Sequence, residues 1–221
     1  MTNLLKPALS SLVLLTALMG QTQKPERKVE GNILRSAHDP AIRIQLPKAV
    51  TYAGADRWIL YGVADCELHA FAETDAKNNV NGLYWVQFEG YIPSRPDLHY
   101  GYDSPRHVTI AGTDFFLDTW VRSADEQIKA DSDREHIEAL VSAKGLKMPA
   151  SMAYVRLVHL LDSQKRKELM IIYGEDLAPT GFSAADLNEG GKAREQWPAV
   201  EQRVIENAKG KIMIAAEAQT Q

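Results

Sequence analysis

From Ala41 to Gly174 the chain is mostly a succession of β-forming runs separated by short polar turns, and this order does most to limit its fold. Ala41–Leu46 places Ile42, Ile44 and Leu46 on one face. Arg57–Ala64 is dense in Trp58, Ile59, Leu60, Tyr61 and Val63, side chains that suit a pleated surface. Cys66–Glu73 alternates cleanly: Cys66, Leu68, Ala70 and Ala72 oppose Glu67, His69, Phe71 and Glu73. The turn cluster Thr74–Gly82 then leads into Leu83–Ile92, so these two runs predict an antiparallel hairpin. His107–Ile110 and Thr113–Val121, joined at Ala111-Gly112, predict a second hairpin. Ala153–Leu161 and Lys167–Gly174, joined by the polar tip around Lys165-Arg166-Lys167, predict a third.

Helix signals are few and late. Ser132-Asp133-Arg134-Glu135 has the form of a capping box, in which Ser132 accepts an amide and Glu135 reaches back. Ile137, Leu140 and Val141 follow at helical spacing, and Gly145 suits the C′ position. One helical turn is expected after Ser183 within the loop Glu175–Gly191. A last helix is expected over Ala199–Lys209, with Pro198 near its first turn, Gly210 as its stop and frayed residues after about Ala215. Strands in sequence with helices near the end predict an α+β fold: a largely antiparallel sheet of about six to eight strands with one or two covering helices. Residues 41–215 are read as a single domain, and residues 21–40, polar and aperiodic, as a tether.

The first twenty residues set the expected compartment. Lys6 precedes the largely apolar run Leu9–Met19, and Gly20 and a polar segment follow, which is the order of a secretory signal peptide. The run is short of the roughly 20 apolar residues of a membrane span. Residues 1–20 are therefore expected to be a signal, the protein periplasmic or secreted, and membrane attachment to arise only if the signal stays uncleaved. Cys66 is the sole cysteine, so an intramolecular disulfide is excluded and a buried structural thiol is expected. A net charge of −4 with interspersed signs argues against nucleic acid as a partner.

Three groups of residues could carry chemistry. The loop Pro93–His107 gathers His99, Tyr100, Tyr102, Asp103, Arg106 and His107, which could stack on and hydrogen-bond a polar ligand. His99, Asp103 and His107 could also form a metal site or an acid–base set. Glu67 and His69 share one strand face and are expected as a surface pair, two ligands being too few for a zinc site. Glu175-Asp176 ends a strong strand and could bind calcium or act in acid–base work, while turn formation explains Asp176 equally well. Nucleotide-binding, zincin and serine-hydrolase signatures are missing, and His136, without a second zincin histidine, reads as an exposed helix residue. The sequence leaves the identity of any metal or cofactor open. The expected function is an exported, non-enzymatic protein binding a small polar ligand, an envelope component or a partner protein. The alternative is a secreted hydrolase, metal-assisted or not, using His with Asp or Glu.

Overall fold

A computed structural model describes residues 23–217. The expected signal lies outside the described residues. Among the described residues, no helix is long and apolar enough to cross a membrane.

The architecture is α+β, built on two antiparallel sheets. The larger has seven strands. They are β4 (Thr51–Leu60), β5 (Ala64–Thr74), β6 (Val80–Tyr91), β7 (His107–Ile110), β8 (Thr113–Ser123), β9 (Ser151–Leu160) and β10 (Lys167–Asp176). Their order is β4-β5-β6-β10-β9-β8-β7. All three predicted hairpins are present in it, as β5/β6, β7/β8 and β9/β10. The smaller sheet, with order β1-β2-β3-β11, joins β1 (Lys28–Glu30), β2 (Ile33–Ala37) and β3 (Ala41–Gln45) to β11 (Met213–Ala216). Three α-helices are described: α1 (Asp133–Ala143), α2 (Ala184–Leu187) and α3 (Trp197–Lys211).

One face of the large sheet packs on the small sheet and α3. Phe71, Val86, Leu169 and Ile171 there meet Leu34, Ile44, Val204 and Ile212. The opposite face carries Leu68, Trp85, Met170 and Ile172 and is partly covered by Ile137 and Val141 of α1. The central strands are thus buried on both sides, which is why β6 and β10 carry the unbroken apolar runs Leu83–Val86 and Leu169–Tyr173. Ser132 caps α1 by accepting the amide of Glu135. Glu135 does not complete the reciprocal box, since its carboxylate takes the amide of Asp131 instead. Gly145 adopts the left-handed φ of +76° expected of a C′ glycine.

Four expectations differ from the structure. Residues 28–37, read as part of a tether, form β1 and β2, with Leu34 buried. Strand β4 begins at Thr51 and ends before the turn at Tyr61 and Gly62, both at positive φ, rather than running from Arg57 to Ala64. Helix α3 passes through Gly210, whose Cα faces open space, and stops when Ile212 turns extended to enter β11. Of the residues expected to fray, Ala216 ends that strand, opposite Ile42 of β3, and residues 218–221 lie outside the described residues. β1, β2 and β3 pair as successive local hairpins, each too short to show a period, and β11 is held by pairing with the distant β3.

Gly174 marks a point of close packing between β9 and β10. A Cβ there would lie 2.6 Å from Cε1 of Tyr154 and 3.0 Å from Cε of Met152. Gly174→Ala is expected to lower stability by about 1–3 kcal/mol through overpacking, read as a lower urea midpoint with an unchanged m-value.

Candidate functional site

The structure disperses most of the loop residues singled out in the sequence. Tyr100 and Tyr102 turn inward. The Tyr100 hydroxyl donates to Glu89 at 2.9 Å and the Tyr102 hydroxyl to Glu168 at 2.6 Å. Arg106 points instead to Glu201 of α3, at 2.6 Å. His107 pairs with Asp114 across the β7/β8 hairpin at 2.9 Å, not with Asp103. His99 and Asp103 are exposed, and no hydrogen bond of their side chains occurs among the described residues. The loop is pinned from below by Arg166, expected only as part of a polar hairpin tip. Its guanidinium donates to the carbonyls of Tyr91, Ile92, Arg95 and Leu98.

Beneath the two tyrosines lies a row of carboxyl groups. Cys66, Glu89 and Glu168 stand directly opposite one another on β5, β6 and β10. Asp133, first residue of α1, lies over this row. Gln87 bridges them, donating to Glu89 at 2.8 Å and to Asp133 at 3.4 Å. Burial, reinforced by the neighbouring Glu89, pushes Glu168 up to about 8 and Asp133 up to about 6. Glu168 therefore keeps its proton at neutral pH. Burial likewise raises the Tyr100 and Tyr102 hydroxyls, so both remain donors. Ligand atoms of Cys66, Glu89 and Asp133 lie within 4.8 Å of one another and are the described group best placed for a metal. The fit is poor. The Cys66 thiol is driven far up by burial, and donors from Tyr100 and Gln87 occupy both oxygens of Glu89.

Asp133 also borders a groove of about 230 Å³ on the α1 face of the large sheet. Trp85, Met170 and Ile172 form its floor. Trp120, Arg122 and Arg156 line it from β8 and β9, and Tyr61 and the first residues of α1 line it as well. Rigid strands therefore position most of the lining. Arg156 is held by Asp118 at 2.6 Å, and Arg134 by Glu138 at 2.6 Å. Arg122 is different. Its guanidinium sits 5.7 Å from the Trp120 and Tyr154 ring centroids, 3.8 Å from an exposed Glu126 carboxylate, and in no hydrogen bond among the described residues.

A second cleft, of about 280 Å³, runs between the N-terminal segment and the β5–β6 end of the sheet. Its charges already pair with one another: Arg57 with Asp65 at 2.7 Å, Lys167 with Asp39 at 2.7 Å, and Arg27 with Glu67 at 3.0 Å. A ligand there would have to displace existing ion pairs.

Glu67 and His69, expected at the surface, are each 1% exposed. His69 bonds Glu67 through Nε2 at 2.9 Å and Tyr52 through Nδ1 at 3.1 Å. Glu67 also accepts the backbone amides of Glu26 at 2.9 Å and Arg27 at 2.7 Å, besides the Arg27 guanidinium. The Tyr–His–Glu order resembles a catalytic relay, but its His69 and Glu67 are buried and Glu67 fastens the N-terminal segment to the sheet. Glu175 has a similar structural part, holding Arg203 and Asn207 of α3 while accepting from Tyr173. Asp176 closes a turn on the amide of Ala178. His136 is half-buried rather than exposed, stacked 3.9 Å from Trp58 and 2.7 Å from Asp56.

Sequence reasoning missed Glu89, Glu168, Asp133 and Arg122 as a group. Each looks like an ordinary polar residue in its own run, and only the strand order brings them to one face. Comparisons with protein-family models, with curated proteins and with solved structures found no match to this chain.

Proposed function

We propose that this is an exported, non-enzymatic protein that holds a small polar ligand in the groove between α1 and strands β8 and β9. The observation that carries the reading is the groove itself: an apolar floor on a rigid sheet, with a cationic side chain whose donors have no hydrogen-bond partner among the described residues. Few convergent polar groups over an apolar surface are the usual make-up of a small-molecule site. Export is supported by the charged, apolar and polar order of the first twenty residues. The test is a thermal-shift screen with sugars, cell-wall fragments, amino acids, organic acids and divalent metals, run on wild type and Trp120→Ala. A native-state ligand at 100 times its Kd adds about 2.7 kcal/mol. At least one class is expected to raise the wild-type Tm and to leave the variant unmoved. If no class raises it, the reading fails.

The carboxyl row favours a second reading, a hydrolase. Asp133 and Glu89 have oxygens within 4.8 Å of each other beside the groove, and Asp133 titrates near 6. None of the His–carboxylate pairs, His107–Asp114, His69–Glu67 or His136–Asp56, borders that groove. Turnover of an ester or glycoside panel, abolished in Glu89→Gln, would establish the enzyme, and no turnover with ligand binding intact would dismiss it.

A further inference from the structure

We infer that the ligand of the groove is a compact organic anion with a flat apolar body, of the aromatic carboxylate or aryl phosphate kind. The inference rests on the groove being the binding site. It follows from counting which hydrogen-bonding groups there are already used. Arg134 uses each of its three nitrogens once, on Glu138 and on the carbonyls of Ala124 and Glu126. Arg156 gives Nε and Nη2 to Asp118, and its Nη1 has no hydrogen-bond partner among the described residues. Arg122 makes no hydrogen bond among the described residues, its Nε facing only the exposed Glu126 carboxylate at 3.8 Å, so its five donors remain available. Lys129, over the Tyr61 ring at 4.2 Å on the groove's edge, forms no ion pair among the described residues. On the acceptor side, Asp133 is the one carboxylate lining the groove, and it already takes a bond from Gln87. Free donors thus exceed free acceptors, and the donors are cationic.

A planar guanidinium forms its strongest pairs with carboxylate or phosphate, through two parallel bonds. The opposite end of the ligand must meet Trp85, Met170 and Ile172, which offer apolar surface and, among the described residues, no unpaired polar atom. The indole N–H of Trp85 is already donated to Gln87 at 2.8 Å. A volume of about 230 Å³ lies below the roughly 300–1,000 Å³ of drug-sized sites and suits a single ring.

The test is isothermal titration of the protein with benzoate, phenyl phosphate and the neutral benzyl alcohol, repeated on Arg122→Gln. Because no hydrogen bond among the described residues uses the Arg122 guanidinium, the variant is expected to keep a Tm close to that of wild type. Benzoate or phenyl phosphate should bind at least about tenfold more tightly than benzyl alcohol, and Arg122→Gln should remove that preference. Equal affinity for benzyl alcohol, or an unchanged preference in Arg122→Gln, would overturn the anion assignment and leave the groove reading standing. Absence of binding by all three probes would also overturn it, and the groove reading would then stand or fall on the thermal-shift screen.

Discussion

Replacing Glu67 with Gln is expected to destabilise the protein by at least about 3 kcal/mol at pH 7, the largest loss among the polar side chains considered. Glu67 accepts two backbone amides, the Arg27 guanidinium and His69, and is almost wholly removed from water. An amide side chain cannot accept all of these and leaves Arg27, itself 9% exposed, with only the more distant and more exposed Glu26 carboxylate at 3.9 Å. Removing one partner of a buried ion pair typically costs about 3–5 kcal/mol, because the other charge stays buried alone. The same carboxylate gives the stability a pH dependence of known sign. Burial by itself would raise its pKa, but bonds from His69 and from the Glu26 and Arg27 segment outweigh burial and bring it from 4.5 down to about 2. Its contribution is therefore complete above the unfolded value near 4.5 and is lost as the pH falls toward 2. Wild type should lose about 3 kcal/mol from this group between pH 5 and pH 2, a component that Glu67→Gln lacks. Urea unfolding at pH 7 and pH 3 measures both effects. A variant within about 1 kcal/mol of wild type at pH 7 would show that the N-terminal segment is not fastened this way.

Replacing Glu168 with Gln is expected to do the reverse and stabilise the protein. Glu168 stands opposite Glu89 in the sheet and is 2% exposed. Burial is the main cost of ionising Glu168, and the carboxylate at the directly paired position adds repulsion. With its pKa raised from 4.5 to about 8, the group costs nothing below the unfolded value. The cost grows as the pH rises from 4.5 to 8 and is constant above that. A glutamine in its place would carry no such cost and could still accept from Tyr102. The gain should be near zero at pH 4, about 3 kcal/mol at pH 7 and about 5 kcal/mol at pH 9. A variant less stable than wild type at pH 9 would refute this cost of a buried charge beside Glu89. A gain would identify a pair that lowers stability, as polar groups retained for function commonly do.

Much of the large sheet is legible in the sequence because its strands are long and its turns are local. The alternation in Cys66–Glu73 and the polar tip near Lys165 announce two hairpins before any tertiary contact is known. Ser132 and Gly145 do the same for α1. The small sheet is not legible, since Lys28–Glu30 and Met213–Ala216 are too short for a period and meet only through β2 and β3. Burial of Glu67 is hidden for a similar reason: alternation gives its face, but not that Arg27 would cover that face. The candidate site is the least legible part. Trp85, Arg122, Asp133 and Met170 come from three strands and a helix, and strand order alone makes them neighbours.

The most direct test of the groove is an NMR titration of the indole N–H signals with any ligand that raises the Tm. The four tryptophans supply one signal each, and they sample different parts of the fold. Trp85 and Trp120 line the groove, while Trp197 packs with Leu177, Leu187 and Val200 in a separate cluster. The groove predicts that Trp85 and Trp120 shift on saturation and that Trp197 stays in place. A stabilising ligand that moves Trp197 and leaves Trp85 and Trp120 unchanged would place the binding site elsewhere and contradict the account.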